Sequence, residues 1–258
     1  MSGTTNAHAC LELRALPGIG EVRPGCDLAD LLAGAMAAAG LELRHQDVLV
    51  IAQKAVSKAE GRSVDLAEVE PSPRALELAR ITGKDPRLVE VVLGESVEVL
   101  RARPNVMITR HHLGLVMAQA GVDRSNVPGT DRALLLPLDP DRSAAGIRDR
   151  LLAIHGVDVG VIVSDSFGRP WRLGTTNVAI GAAGVPALWD RRGETDREGR
   201  RLETTQVAWA DAVAAAAGIA MGEAAEGTPA VLVRGLRWSL PAQPARHLLR
   251  PLDEDMFR

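Results

Sequence analysis

Residues 158–164 have the sequence DVGVIVS, and this stretch decides the fold class more clearly than any other part of the chain. It is almost entirely apolar and rich in β-branched side chains, which is typical of a buried strand. Similar runs occur at residues 47–52 (DVLVIA) and 230–234 (AVLVR). Because segments with helical periodicity separate these runs, the sequence predicts a mixed α/β (α+β) fold.

The remaining elements follow from apolar periodicity and from capping residues. Shorter strands are predicted at residues 106–109 and 115–118. One predicted helix has Ser72 as its N-cap, Pro73 in its first turn and Gly83 at its end. The predicted helices span residues 28–39, 73–82, 88–100, 144–155 and 205–221.

No repeat, low-complexity tract or obvious linker divides the chain, so residues 1–258 are predicted to form a single domain. Two interlocked subdomains would also fit this length. The most polar segment, residues 190–201 (DRRGETDREGRR), is predicted to be an exposed loop. A solvated connection is the favoured interpretation, and a functional lid is the alternative.

The composition excludes several classes of function. The chain has two Phe, four Trp and no Tyr, which argues against aromatic platforms for single-stranded nucleic acid. Its net charge is −3 and it has no Lys- or Arg-rich block, so a nucleic-acid partner is not indicated. The start of the chain lacks the apolar region of a secretion signal, and its longest apolar stretch, residues 212–221, is shorter than the ~20 residues of a membrane span. Cys10 and Cys26 fit neither a redox pair nor a zinc cluster, so we expect a cytoplasmic protein without a membrane partner.

The sequence lacks the common phosphate-binding loops. Gly18-Ile19-Gly20 suggests a dinucleotide fingerprint, but Arg23 stands where the third glycine is needed, and a tight turn is the favoured interpretation. No P-loop motif is present. Lys54 and Lys58 follow the predicted strand at residues 47–52, where lysine side chains could neutralise phosphate charge. Ordinary solvated lysines are the alternative.

Three acidic loops adjoin predicted strands. Asp165 and Ser166 leave the strand at residues 158–164, and their oxygens suit a hard cation such as Mg²⁺. Asp123 and Glu223 lie in the two other loops. In each loop, the acidic side chain could instead cap the backbone of a local turn. The three loops together would suit a two-metal phosphate site. Beyond the first loop, Arg169 and Arg172 are candidates for binding an anionic substrate.

Six ordered blocks of sequence carry a resemblance to a known family. They are LPGI (16–19), VSKAEG (56–61), GVDRSN (121–126), LPLDPD (136–141), SDSFGR (164–169), and MGE (221–223) followed by PAVLVRG (229–235). With these blocks the chain resembles the coenzyme F420-0:L-glutamate ligase family from about residue 16 to residue 236. No single block would be specific, but their order is.

This resemblance implies a GTP-dependent amide ligase that adds L-glutamate, through a γ-glutamyl bond, to the coenzyme F420 precursor. The terminal carboxylate of the deazaflavin precursor would be activated as an acyl phosphate, and the amine of glutamate would then displace phosphate, with release of GDP. The resemblance also implies Mg²⁺ or Mn²⁺ as cofactor, stimulation by K⁺, and a fold in which two chains intertwine as a homodimer. Some relatives carry a reductase-like domain after the ligase domain, and we expect none in this chain.

The resemblance assigns roles to individual residues. Asp165 and Lys58 are the expected catalytic residues. The expected metal ligands are Asp123, Asp165, Ser166 and Glu223. The expected nucleotide contacts are Leu16, Pro17, Gly18, Ile19, Gln53, Lys58, Asn126, Met221, Gly222, Glu223, Ala224, Ala225, Glu226, Gly227 and Thr228.

Three positions depart from the family pattern. Gln53 stands where relatives have a small hydroxyl residue, although its amide can still donate and accept hydrogen bonds. Ser166 replaces a common Thr and keeps the hydroxyl. Ala224-Ala225 stands where a Gly-Gly pair can occur, which stiffens the loop and could alter nucleotide choice.

Two other functions compete with the ligase. A metal-dependent hydrolase of phosphate esters or nucleotides could use the same acids to activate water. A non-catalytic nucleotide-sensing module would bind GTP without turnover. Glutamate-dependent consumption of GTP separates the ligase from both.

Overall fold

The computed structural model describes residues 10–125 and 131–255. This part of the chain contains twelve strands, six α-helices and short 3₁₀ turns. In chain order, the elements are β1 (Glu12–Ala15), α1 (Leu28–Ala38), β2 (Val48–Ala52), α2 (Gln53–Ala59), β3 (Ser63–Asp65), α3 (Pro73–Thr82), α4 (Pro86–Gly94), β4 (Ser96–Arg103), β5 (Val106–His111), β6 (Val116–Ala118), β7 (Arg132–Leu134), α5 (Pro140–His155), β8 (Gly160–Arg169), β9 (Arg172–Ala183), β10 (Leu188–Asp190), β11 (Gln206–Ala208), α6 (Trp209–Met221) and β12 (Ala230–Arg234).

A five-stranded sheet with the order β1-β12-β2-β8-β9 forms the centre of the fold. The strands β2 and β8 are parallel, and the register pairs Ala52 with Ser164. The other neighbouring pairs are antiparallel. β2 therefore ends beside Ser164, whereas β8 continues for five more residues to Arg169.

Helices cover both faces of this sheet. Leu49 and Ile51 of β2 pack with residues of α1, α2 and α5, whereas Val48 and Val50 pack with α6. In β8, Ile162 faces the α6 side and its two neighbours face the other side. This alternation explains why the sequence of both strands is continuously apolar, since both faces are buried.

A second layer of structure packs beside the central sheet. It contains the three-stranded sheet β4-β5-β6, the two-stranded sheet β3-β7 and the helices α3 and α4. Its own hydrophobic cluster includes Leu66, Leu78, Val89 and Met107. The prediction of a mixed α/β fold is therefore confirmed.

The predicted strands and helices are present, but several of their bounds differ. The strand predicted at residues 158–164 continues to Arg169, so Asp165 and Ser166 lie within β8 and pair with β9 instead of forming a loop after the strand. The helix predicted over residues 144–155 begins earlier, at Pro140. Two other helices were predicted too long. The helix predicted over residues 88–100 ends at Gly94, and Ser96–Arg103 forms β4 instead, because this segment pairs with β5. The helix predicted over residues 205–221 begins only at Trp209, since Gln206–Ala208 pairs with β10. In both cases, a short strand next to a helix was predicted as part of that helix. At the start of α3, Ser72 accepts a hydrogen bond from Ala75 N, as its N-cap role requires.

The longest strand, β9, was not predicted. Its sequence, RLGTTNVAIGAA, contains two glycines that interrupt a strand pattern. Gly181 has a packing reason, because a Cβ atom there would lie 2.2 Å from the carbonyl oxygen of Pro140 at the start of α5. Residues 190–201 are largely exposed, and a bridge between Thr195 and Arg201 closes them as a turn. Among the described residues, the structure has no helix that is long and apolar enough to cross a membrane.

Candidate functional site

A cleft of about 430 Å³ opens where β2 ends beside the middle of β8. The edge of parallel strands is the usual ligand position in α/β sheets, because the following loops converge there. The first turn of α2, the middle of β8 and the loop after α6 all contribute to the cleft. Its lining residues are Gly20, Glu21, Val22, Ala52, Gln53, Lys54, Ala55, Lys58, Ser164, Asp165, Ser166, Asn177 and the segment from Met221 to Pro229.

Most of the expected site residues line this cleft, but not all. Gln53, Lys58, Asp165, Ser166 and all eight residues from Met221 to Thr228 do. The segment LPGI does not, since Leu16 and Ile19 are buried in the core and the next residues, from Gly20 to Val22, form the cleft wall. Asp123 lies just outside the lining and acts on it electrostatically. Asn126 falls outside the described residues.

The glycines near the start of the chain lie in an irregular segment. Gly18 and Gly20 have positive φ angles of 77° and 74°, and the next helix, α1, begins only at Leu28. No helix N-terminus follows directly on these glycines, as a dinucleotide fingerprint would require. The turn of this region lies at Pro24 and Gly25, after the two glycines.

Asp165 has the most strongly perturbed carboxylate of the cleft. Its pKa is raised to about 7: burial is the largest cause and the charges of Asp123 and Glu223 add to it, against the opposing effects of the Ser166 backbone N–H and the charge of Lys54. Ser166 N donates to Asp165 Oδ1 at 2.9 Å. The three acids that the sequence places in separate loops thus act on one another, and the cleft carries an excess of negative charge.

The acids are not assembled into a finished metal centre. Within residues 10–125 and 131–255, no group of three or more His, Cys, Asp or Glu side chains is arranged to hold a metal ion. The donor chemistry nevertheless fits a hard divalent cation, because the cleft offers the carboxylate oxygens of Asp165 and Glu223 and the hydroxyl of Ser166.

Asp123 has a cationic partner. Lys54 Nζ lies 2.6 Å from Asp123 Oδ2. Ser125 N donates to Asp123 Oδ1 at 2.7 Å, and Ser125 Oγ donates to Oδ2 at 2.8 Å. Burial raises the pKa of Asp123, but these hydrogen bonds outweigh it and hold the pKa below its usual value.

Lys58, one helical turn after Lys54, faces the same cleft. Its burial, together with the charge of Lys54, lowers the pKa of its ammonium group. Below it, Ser57 Oγ donates to Gln53 Oε1 at 2.8 Å, so the buried Gln53 amide has a fixed orientation. Two lysines on the first turns of α2 thus give the cleft a cationic wall opposite the acids.

The loop after α6 is closed by its own hydrogen bonds. Gly222 has a φ of 77°, and Thr228 Oγ1 donates to Met221 O at 2.8 Å. Ala224 N donates to Glu226 Oε2 at 2.8 Å, and backbone N–H groups of the loop lower the pKa of Glu226. Consecutive backbone N–H groups that converge on a carboxylate form the kind of concavity that also binds phosphate.

Several lining residues were absent from the predicted site, among them Ser164 on β8 and Asn177 on β9. Ser164 is 1% exposed, and its Oγ has no hydrogen-bond partner among the described residues. Its position at the end of the apolar run was the only sequence signal. Asn177 comes from β9, which the sequence did not reveal. Arg169 and Arg172 are exposed near the tip of the β8–β9 hairpin and do not line the cleft.

Comparison with known proteins gives consistent matches along the chain. A family model described as F420-0:Gamma-glutamyl ligase matches residues 18–235. A protein of Methanopyrus kandleri named coenzyme F420:L-glutamate ligase is 50% identical over 252 residues, which cover 96% of this chain and 98% of the relative. Proteins of the same name from Methanothermobacter thermautotrophicus and Haloarcula marismortui are 46% and 43% identical, over 96% of this chain and 99% and 96% of their own lengths. The chain therefore belongs to the F420-0:gamma-glutamyl ligase family.

Proposed function

We propose that the protein is a coenzyme F420:L-glutamate ligase that forms an amide bond between L-glutamate and the coenzyme F420 precursor at the expense of GTP. Relatives at 46–50% identity over 96% of the chain carry this activity in their names. The observation that carries the proposal is the single cleft that joins Asp165, the two lysines of α2 and the loop after α6.

The chain's own residues suggest how the cleft would act. The loop from Met221 to Thr228 would hold GTP through backbone N–H groups, with Gln53, Asn126 and the segment at residues 16–19 as further expected contacts. Lys58, desolvated in the cleft wall, would face the transferred phosphoryl group and stabilise its developing charge. Asp165 and Lys58 are the proposed catalytic residues.

Asp123, Asp165, Ser166 and Glu223 would hold Mg²⁺ or Mn²⁺, and K⁺ is a proposed activator. A divalent ion would screen the phosphate charge so that the two anionic substrates can meet. The substrate carboxylate would attack the γ-phosphoryl group of GTP, giving an acyl phosphate and GDP. The glutamate amine would then attack the acyl carbon, so that the C–O bond to phosphate breaks and phosphate leaves.

We also propose that two copies form a homodimer through the β8–β9 hairpin. Trp171 and Leu173 near the hairpin tip are 83% and 99% exposed. Beside the base of the hairpin lies a second cavity of about 450 Å³ with mainly apolar walls, to which Asp139, Asp141 and Asp211 contribute acidic groups and Arg246 a basic one. Because the tip carries Arg169 and Arg172, its charge complements that cavity in a second copy.

The direct test is glutamate ligation by the purified protein. Incubation with GTP, Mn²⁺, L-glutamate and the deazaflavin precursor should give a glutamyl mass increment and an equal amount of GDP, by mass spectrometry and nucleotide analysis. GDP release without the increment would favour the hydrolase, and metal-dependent GTP binding without turnover would favour the sensing module. The cytoplasmic location and the single-domain organisation remain predictions.

Replacement of Asp165 tests the site itself. Asp165→Ala should lower ligation by at least about 10³-fold, because a proposed metal ligand and catalytic residue is lost, while its circular dichroism stays that of the wild type. Asp149→Ala is a matched control, since Asp149 lies on α5 with a side chain that is 73% exposed. Turnover like that of the wild type in Asp165→Ala would remove Asp165 from the site.

A further inference from the structure

The ammonium group of Lys54 occupies the cationic position beside Asp123. Its Nζ atom lies 2.6 Å from Asp123 Oδ2 and 2.6 Å from Ser125 Oγ. The other carboxylate oxygen, Oδ1, accepts the backbone N–H of Ser125. Both carboxylate oxygens of Asp123 therefore have partners, and the cation that contacts Oδ2 is the Lys54 ammonium group.

The fold fixes this lysine at the edge of the cleft. Lys54 is the second residue of α2, which starts directly at the end of β2, and its side chain lines the cleft. The Lys54 and Asp123 side chains are 29% and 37% exposed, so water screens this pair less than a fully exposed pair. The charge of Lys54 also reaches Asp165, whose pKa it lowers.

We propose that Lys54 is the resident counter-cation of the cleft: its ammonium holds Asp123 in the ligand-free protein and gives way to a divalent metal ion. This inference rests on the metal-dependent function proposed above. It adds that metal binding is an exchange of one cation for another, and it makes Lys54 a positioning residue that acts through Asp123.

The exchange follows from the distances and charges. A Mg²⁺ ion that bound Oδ2 would lie about 2.0–2.1 Å from an oxygen that Lys54 Nζ now contacts at 2.6 Å. Two cations at one oxygen repel each other strongly, and one of them must leave. The flexible four-carbon stem of lysine allows the ammonium to withdraw without movement of the helix.

The same arrangement couples the metal to the nucleotide. A divalent ion that displaces Lys54 leaves an additional positive charge in a cleft that already contains Lys58. A triphosphate offsets this charge, so each ligand should strengthen the binding of the other. The ligand-free protein should therefore bind the metal alone weakly.

Mn²⁺ binding, measured by electron paramagnetic resonance of free Mn²⁺, tests the exchange without turnover. The titration uses the wild type, Lys54→Met, Lys54→Arg and Lys58→Met, each with and without a non-hydrolysable GTP analogue. Lys54→Met should bind Mn²⁺ alone about tenfold more tightly than the wild type, a change of about 1.4 kcal/mol, and should show less coupling to the analogue. Lys54→Arg keeps the charge and should bind like the wild type.

Lys58→Met is the matched control, because it removes one positive charge from the same helix and cleft. It should raise the Mn²⁺ affinity clearly less than Lys54→Met. Equal or weaker Mn²⁺ binding by Lys54→Met, or an equal gain in Lys58→Met, would overturn the exchange. Glutamate ligation by the wild type in that case would leave the proposed function standing, whereas no Mn²⁺ binding by any folded variant together with no ligation would overturn both.

Discussion

At the scale of single residues, Glu95 connects parts of the chain that are distant in sequence. Its Oε2 lies 2.8 Å from Arg62 Nη2 and 3.4 Å from His111 Nε2. Arg62 lies shortly after α2, the helix that carries Lys58, and donates to Leu136 O at 2.9 Å. The nearby His111 ring lowers the pKa of Glu95, burial opposes it, and the charge of Arg62 lowers the pKa further. Glu95 thus ties the second layer of the fold to the cleft wall.

Glu95→Gln should destabilise the protein by about 1.5–3 kcal/mol at pH 7, because a charged hydrogen-bond partner is lost. Since the folded pKa lies below the unfolded value of about 4.5, the stabilisation by Glu95 is present above pH 4.5 and fades as the pH falls through the folded pKa. Urea unfolding at pH 7 and at pH 4 should therefore show a smaller difference at pH 4.

The control for this measurement is Glu77→Gln, which breaks an exposed i,i+3 pair with Arg74. Its effect should stay within about 0.5 kcal/mol at either pH. A loss in Glu95→Gln that is equally large at pH 4 would show that the carboxylate charge is not what stabilises this junction.

At the scale of elements, the start of α5 is docked onto β9. Asp141 Oδ1 accepts hydrogen bonds from Ala182 N at 2.9 Å and from Ala245 N at 2.6 Å, so one buried carboxylate joins a helix, a strand and the C-terminal segment. The backbones approach closely, because position 181 has no side chain. β9 also carries Asn177 into the cleft, so this docking supports the site.

Gly181→Ala should destabilise the protein by about 3 kcal/mol or more, since its Cβ would lie 2.2 Å from Pro140 O and backbone must move. Gly168→Ala on the paired strand is the control, because a Cβ there meets nothing within 4 Å. The midpoint of urea unfolding distinguishes the two. A Gly181→Ala variant as stable as Gly168→Ala would mean that α5 can shift away from β9 at little cost.

These elements also show how far the sequence can predict the fold. Strands buried on both faces, such as β2 and β8, can be predicted from their continuous apolar runs. The strand β9 has no such run. Glycine and polar residues interrupt it because they serve a close backbone contact and the cleft, and only the tertiary structure reveals these roles. The first part of β4 was mistaken for helix because α4 precedes it directly and the strand is defined by its pairing with β5.

The same limit applies to the site. Acids at strand ends and the loop after α6 were predicted from residue type and from the resemblance, and most of those residues line one cleft. The pairing of Lys54 with Asp123 could not be predicted, because 68 residues lie between them in the sequence. Sequence order indicates which side chains are available, and the packing of distant segments decides which of them meet.

At the scale of the whole molecule, the hairpin tip raises the question of assembly. Leu173 is 99% exposed in the single chain. Trp171, two residues before it, is exposed as well, so the tip presents two large apolar side chains and not an isolated one. If the tip enters the second cavity of another copy, a two-fold axis would bury both tips at once. Sedimentation velocity of the wild type should then give the mass of a dimer.

Leu173→Ser should raise the dimer dissociation constant at least about tenfold, because an apolar anchor would be lost from a buried pocket. Ile219→Ser is the matched control: Ile219 on α6 is 86% exposed and lines neither cavity, so the dimer should persist. A monomeric wild type would contradict the homodimer, and a Leu173→Ser dimer of unchanged affinity would place the interface elsewhere. Ligation by a monomeric Leu173→Ser protein would show further that each cleft works without a partner.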